Sequence, residues 1–216
     1  MKELDIVYED NHIIAINKVP GIAVQAAEKG EVDLFEAVKQ LIKVRDNKPG
    51  NVYLAMIHRI DRPVSGIVLF AKTSKAASRL SEQMRDGDIE KVYEAIVHGI
   101  VREKKAKLVN FLSKLQQNRG YKAVVVQRGG DKAVLEYKVV DQKLDATKLS
   151  IALETGKFHQ IRAQLAHIGH PIVGDSLYGS KEKLPDNAIK LRAVRCSFNH
   201  VTSGERVKLE IPGFTW

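Results

Sequence analysis

Cysteine occurs once in this 216-residue chain, at Cys196, which excludes an intrachain disulfide and any thiolate cluster for a metal. A reducing compartment suits such a chain. No apolar run reaches the roughly 18 residues of a membrane span. The opening Met1-Lys2-Glu3-Leu4-Asp5 also lacks the apolar stretch of a signal peptide. A soluble cytoplasmic protein is therefore expected. Neither a Gly-rich phosphate cradle nor a Gly-x-Ser-x-Gly elbow is present, so nucleotide cofactors and serine hydrolases of that type are not suggested. With no repeat, low-complexity stretch or linker, one compact domain over residues 1–216 is expected.

What is abundant is positive charge. Lys and Arg number 35 against 26 Asp and Glu, a formal net charge of +9. Each cation that neutralises a phosphate releases condensed counterions, so a polyanionic partner is favoured, although many basic proteins bind none. Hydrophobic residues make up 44% of the chain, enough to bury a sizeable core.

Residues 6–17 form two β-rich runs around an Asp10-Asn11 turn signal, and Pro20-Gly21 suits the centre of a type II turn. Asp33 can cap a helix over about 34–44, with Leu34, Val38, Leu41 and Ile42 at helical spacing. Apolar runs at 53–57 and 66–71 flank a polar knot, 58–65, whose Pro63 forbids an uninterrupted ladder. Ser74 can cap a second helix. A strand follows at 92–97, and three β-rich runs over 123–153 look like a meander. Lys104, Lys105 and Lys107 are read as a solvated loop whose lysines could also touch RNA phosphates. Phe158, Ile161, Leu165 and Ile168 mark a third helix, and strands at 191–198 and 206–211 close the chain. The expected class is α+β, a mixed or antiparallel sheet with helices packed on it.

The densest polar cluster is His58-Arg59-Ile60-Asp61-Arg62-Pro63-Val64-Ser65-Gly66. Positive neighbours at Arg59 and Arg62 favour the ionised form of Asp61, which is then available as a nucleophile. A structural ion pair capping the strand end would look the same. The second cluster, Thr155-Gly156-Lys157-Phe158-His159-Gln160-Ile161-Arg162, is expected to present His159 and Arg162 one turn apart on a helix. A surface cation beside a helix start is the plainer alternative. His159, His167 and His170 with Asp175 raise the thought of a metal. Their helical phases differ too much for a shared site, and no metal is expected. Ser65, His58 and Asp61 crowd one loop too closely for a hydrolase triad. Tyr93 and Ala95 share one face of their strand, where the Tyr could stack on a base or be an ordinary half-buried ring.

Taken in order, residues 58–72, then Lys91-Val92-Tyr93-Glu94-Ala95, then 155–162 through Gly174-Asp175 and Tyr178-Gly179, the chain resembles the RluA family of pseudouridine synthases over nearly its whole length. The resemblance implies that Asp61 is the catalytic aspartate and that Arg162 pairs with it. It also implies that Tyr93 packs against the target base and that Arg59 fills the gap the base leaves. His58, Arg62 and His159 are further expected RNA contacts. The implied fold is a pseudouridine synthase sheet, mixed and largely antiparallel, in two halves with a central cleft. The implied partner is a ribosomal or transfer RNA stem-loop, bound without cofactor by a monomer.

Several positions depart from the family pattern. Asn17-Lys18 is followed by Val19-Pro20-Gly21, Gln25 stands for a His, Val64 for a Thr, and Arg192 for a His. All lie away from Asp61 in role and bear on substrate contacts. Family members often carry an N-terminal S4 domain, whereas here catalytic-core sequence begins within ten residues, so recognition is expected to rest on this domain's own surface. Two other readings follow from the residues: an RNA-binding module that remodels without modifying, and a metal-dependent hydrolase using His159, His167 and His170.

Overall fold

A computed structural model describes residues 4–26, 32–118 and 120–216. Contacts divide the chain into two units, one of residues 1–90 and 193–212, the other of residues 91–192 and 213–216.

The first unit opens with β1 (Ile6–Glu9) and β2 (Ile13–Lys18). The Asp10 carboxylate accepts from the backbone N–H groups of His12 and Ile13, both at 2.7 Å, and so folds the turn between them. The hairpin is as expected. β3 is only Ala55–Met56, shorter than the apolar run at 53–57, and pairs with β4 (Ser65–Ala71). Strand order is β1-β2-β4-β10, where β10 is Leu191–Asn199 and its residues 193–199 lie in this unit. β11 (Arg206–Glu210) pairs with β10.

Buried residues alternate to both faces of β2 and β4, which explains their unbroken apolar runs. One face, with Ile13, Ala15, Ile67 and Leu69, packs with Ala76 and Leu80 of α2 (Ser74–Asp86) and with Phe198 and Leu209. On the other face Phe70 meets Phe35 of α1 (Leu34–Arg45), ring centroids 6.2 Å apart. The Asp33 side chain caps α1 at the Glu36 N–H, 2.8 Å, as its position predicts. α2 is capped one residue earlier than expected, by Thr73 rather than Ser74.

The second unit is an antiparallel sheet in the order β5-β9-β8-β6-β7. Its strands are β5 (Glu90–His98), β6 (Lys105–Gln116), β7 (Tyr121–Val126), β8 (Asp131–Lys143) and β9 (Ala146–Leu153). Two expectations need correction. The charge run 103–107, read as a solvated loop, is so only at 103–104, because from Lys105 it enters a twelve-residue strand. The runs over 123–153 are not a simple meander, because β6 lies between β7 and β8. Lys105 and Lys107 masked the start of β6: they lie on its exposed face and leave Leu108 and Leu112 on the other. On that inner face Leu112 and Ala123 pack with Ala163 of α3 (Gln160–His167).

The chain's last residues return to this unit. Phe214 N–H donates to the Glu94 carboxylate, Lys148 Nζ donates to the Phe214 carbonyl at 2.7 Å, and the Lys148 ammonium lies 5.2 Å from the Trp216 ring centroid. Among the described residues no helix is long and apolar enough to cross a membrane.

Candidate active site

In the first unit, β4 carries the polar knot. Residues 58–64 precede it as a loop held by two buried side chains, Ile60 and Val64, and by a turn in which the Val64 N–H donates to the Asp61 carbonyl at 3.0 Å. Asp61 is half-buried, while Arg59 and Arg62 are exposed. His58 accepts at Nε2 from the Leu69 N–H, 3.2 Å, which fixes its ring against β4. Gly66, at φ +116°, is required here: a Cβ would stand 2.3 Å from the Ala193 carbonyl oxygen of β10.

Beneath this loop lies a residue to which the sequence reading gave no role. Lys18, the last residue of β2, is 1% exposed. Its ammonium donates to the carbonyls of Val19 (3.0 Å), Ile22 (2.8 Å) and Arg62 (3.1 Å). All three hydrogens of the cation are thus used to tie the turn after β2 to the Asp61 loop. The Gly21 N–H adds a fourth tie, to the Arg62 carbonyl at 2.9 Å. Burial pulls the Lys18 pKa down to about 8, against the attraction of the Asp61 charge and with the repulsion of Arg62. The available signal was a lysine closing a strand that opens with four apolar residues, shortly before a Pro-Gly turn.

The lowered value makes a signed prediction. Between about pH 8 and the usual 10.5 of a lysine the unfolded chain holds more protons at this position than the folded one, so stability rises with pH. Replacing Lys18 by Met removes this dependence. Urea unfolding should show the wild-type protein gaining up to about 3 kcal/mol relative to Lys18→Met across that window. A constant difference would show that the ammonium is not held under this burial cost.

In the second unit, Tyr93 of β5 stands opposite Ile151 of β9, which stands opposite Tyr137 of β8, so all three share one sheet face. Ala95 shares that face and Glu94 takes the other, as the alternation predicts. Tyr93 is 7% exposed, more enclosed than a half-buried strand ring.

α3 differs from its expected form. It begins at Gln160, and His159 is the residue before it, in the left-handed region at φ +50°. His159 and Arg162 therefore do not lie one turn apart on a helix. The His159 ring stacks on Phe158, centroids 3.8 Å apart, and its Nδ1 lies 3.1 Å from the Tyr178 hydroxyl. Gln160 builds this corner: its Oε1 accepts from the Thr155 hydroxyl (2.8 Å) and the Lys157 N–H (2.9 Å), and its Nε2 donates to the Val134 carbonyl (3.1 Å). With Gln160, Ile161, Arg162, Ala163, Gln164 and Leu165 all buried, α3 has no long solvent face.

Arg162 is accordingly no surface cation. Its Nε donates to Asp175 Oδ2 at 2.7 Å and its Nη2 to Oδ1 at 2.9 Å, a bidentate pair with both side chains nearly sealed from solvent. The Tyr178 ring lies 5.0 Å from the guanidinium carbon, and its hydroxyl is fixed by the backbone of Ala123. The sequence Gly174-Asp175 through Tyr178-Gly179 is thus a socket for Arg162. A Cβ on Gly174, at φ +88°, would meet the Ala188 carbonyl at 2.6 Å.

The histidines do not gather. His170 Nδ1 lies 2.9 Å from the His98 carbonyl, far in role from the His159 stack. Among the described residues no group of three His, Cys, Asp or Glu is placed to hold a metal ion.

The α+β fold and the sequence of this chain have known counterparts. Residues 12–167 match the family described as RNA pseudouridylate synthase, and the chain belongs to that family. It is 32% identical over 214 residues to a ribosomal large subunit pseudouridine synthase C of Buchnera aphidicola subsp. Acyrthosiphon pisum (strain APS), covering 96% of this chain and 66% of that protein. It is 33% identical over 221 residues to a ribosomal large subunit pseudouridine synthase D of Neisseria meningitidis serogroup A, covering 97% of this chain and 58% of that protein. This chain thus spans less than two thirds of the length of these two curated relatives. Human RNA Pseudouridylate Synthase Domain Containing 4 has the same fold, with a TM-score of 0.79 over 96% of this chain and 88% of that one, at 21% identity.

Proposed function

We propose that this protein isomerises uridine to pseudouridine in a structured ribosomal RNA, with Asp61 as its nucleophile. Family membership supports the reaction, and the two relatives named for the ribosomal large subunit favour ribosomal over transfer RNA. The observation that carries the site assignment is the bracing of the Asp61 loop by the buried Lys18. A fully enclosed ammonium hydrogen-bonded to three carbonyls serves poorly as a surface ornament and well as a rigid footing for one carboxylate.

The reaction breaks the N1 to C1′ bond, turns the base and rejoins it through C5, with the C5 proton released to solvent and N1 taking up a proton in exchange. It needs no electron acceptor and no group donor. The target must first leave its stack, at a cost of a few kcal/mol met by phosphate and stacking contacts. In this reading Tyr93 supports the extruded base and Arg59 occupies the gap it leaves. His58, Arg62 and His159 contact the RNA. Asp61 attacks the ribose or the base, or assists deprotonation at the ribose. Arg162 supplies a preorganised positive charge that keeps the carboxylate ionised and oriented, a role for which its Asp175 clamp suits it.

The direct check is a map of pseudouridines in ribosomal RNA from cells with and without the gene. At least one site should vanish with the gene and return when the purified protein is added to the deficient RNA. An unchanged map, with no activity on that RNA, contradicts the proposal.

A further inference from the structure

Among the described residues, part of one face of the second unit's sheet stays exposed at β6. In an antiparallel ladder, residues directly opposite share a face. The register therefore puts Lys105, Lys107, Val109, Phe111 and Leu115 of β6 on one side, with Lys132 and Lys138 of β8 opposite Phe111 and Lys105. The same register puts Val126 of β7 opposite Phe111. Tyr93 and α3 belong to the other side, through the pairs Tyr93 with Ile151, Ile151 with Tyr137 and Tyr137 with Ala106, and through Leu112 and Ala123. The returning C-terminal residues fasten to Glu94 and Lys148 on β5 and β9, and the β6 portion remains open. There Val109 is 51% exposed, Phe111 44% and Leu115 49%.

We propose that this face binds a second stretch of the RNA, a single-stranded segment that stacks a base on Phe111 and lays its phosphates along the flanking lysines. The inference rests on RNA being the substrate class. An apolar strip this exposed on one face marks an interaction site rather than scattered surface residues. Its rim decides the occupant: Lys105, Lys107, Lys132 and Lys138 outnumber Glu136 and Glu154, the two carboxylates that pair with Lys105 and Lys107. A second copy would bring the same positive rim against itself, whereas a polyanion complements it. Lys105 and Lys107, alternate residues of one strand, stand about 7 Å apart along it, a step comparable with that between phosphates of an extended nucleotide strand. An aromatic ring on an open sheet face between lysines is a sequence-tolerant platform for a base.

The test uses the full chain and a fluorescein-labelled single-stranded oligouridine, read by anisotropy. Phe111→Ala should weaken binding about tenfold, the loss of one stacked base. Phe111→Tyr should retain affinity, and Phe111→Leu should lose it although the apolar area is kept. The pair Lys132→Gln and Lys138→Gln should lower the slope of log affinity against log salt by about 1.4, two phosphates on a single strand. Oligouridine binding that ignores Phe111→Ala, or that survives Phe111→Leu in full, overturns the proposal. So does a dimer in sedimentation that Phe111→Ala converts to monomer, or wild-type affinity for an acidic peptide that exceeds affinity for the oligonucleotide. Pseudouridine formation is scored separately in the wild-type protein. Its absence would overturn the catalytic reading while the binding measurements still decide this one.

Discussion

Replacing Asp61 by Asn is expected to abolish turnover, by at least about 10⁴-fold, while RNA affinity stays near that of the wild-type protein. The amide keeps the size of the carboxylate and removes its nucleophilicity, so the loss should fall on the chemical step. The scaffold predicts this separation: Ile60 and Val64 anchor the loop by burial, and Lys18 ties it through the Arg62 carbonyl. The burial of Ile60 and Val64 does not need the Asp61 charge, which acts on the loop's footing only by its attraction for the Lys18 ammonium. Nucleoside analysis of RNA treated in single-turnover excess measures the first quantity, and anisotropy with the same RNA measures the second. Near-normal pseudouridine formation by Asp61→Asn would remove the nucleophile assignment.

Asp175→Asn should have the largest effect on stability, a loss of about 3–5 kcal/mol, because it leaves the Arg162 guanidinium buried with its clamp reduced to a neutral amide. Exposed pairs give a contrast. Arg195 reaches Glu210 through one hydrogen bond of 2.7 Å between partly exposed side chains, and Glu210→Gln should leave the unfolding midpoint almost unmoved. Urea titration of the three proteins checks both statements. If Asp175→Asn unfolds with Glu210→Gln, the buried pair is not the keystone of the socket. Activity should fall together with stability and further, since an Arg162 free to rotate no longer presents a fixed charge.

Much of this was legible in the chain. Asp33 announced α1 because its carboxylate caps the Glu36 N–H of the following turn, while its other oxygen accepts from the Ala26 N–H at 2.7 Å, and the Asp10-Asn11 turn signalled the first hairpin in the same way. Residues 58–64 read correctly as a loop, since Pro63 cannot join a ladder, while Ser65, expected in the loop, already begins β4. β6 was missed because half its side chains are lysines and exposed apolar residues, a pattern without a clean polar face. The true start of α3 was hidden because His159 adopts a left-handed conformation that sequence rarely signals outside Gly, Asn and Asp. Lys18 and the Arg162 socket escaped for one shared reason. Sequence statistics place Lys and Arg at the surface, and only the carbonyls of Val19, Ile22 and Arg62, or the carboxylate of Asp175, show that these two are enclosed.

The central claim is that a single carboxylate moves a uracil ring from N1 to C5. Its most direct measurement is tritium release from ribosomal RNA carrying tritium at uracil C5, with the protein in excess. The wild-type protein should release one tritium to water for each site it modifies, and Asp61→Asn none above background. No release by the wild-type protein on any ribosomal fragment, or equal release by both proteins, would contradict it.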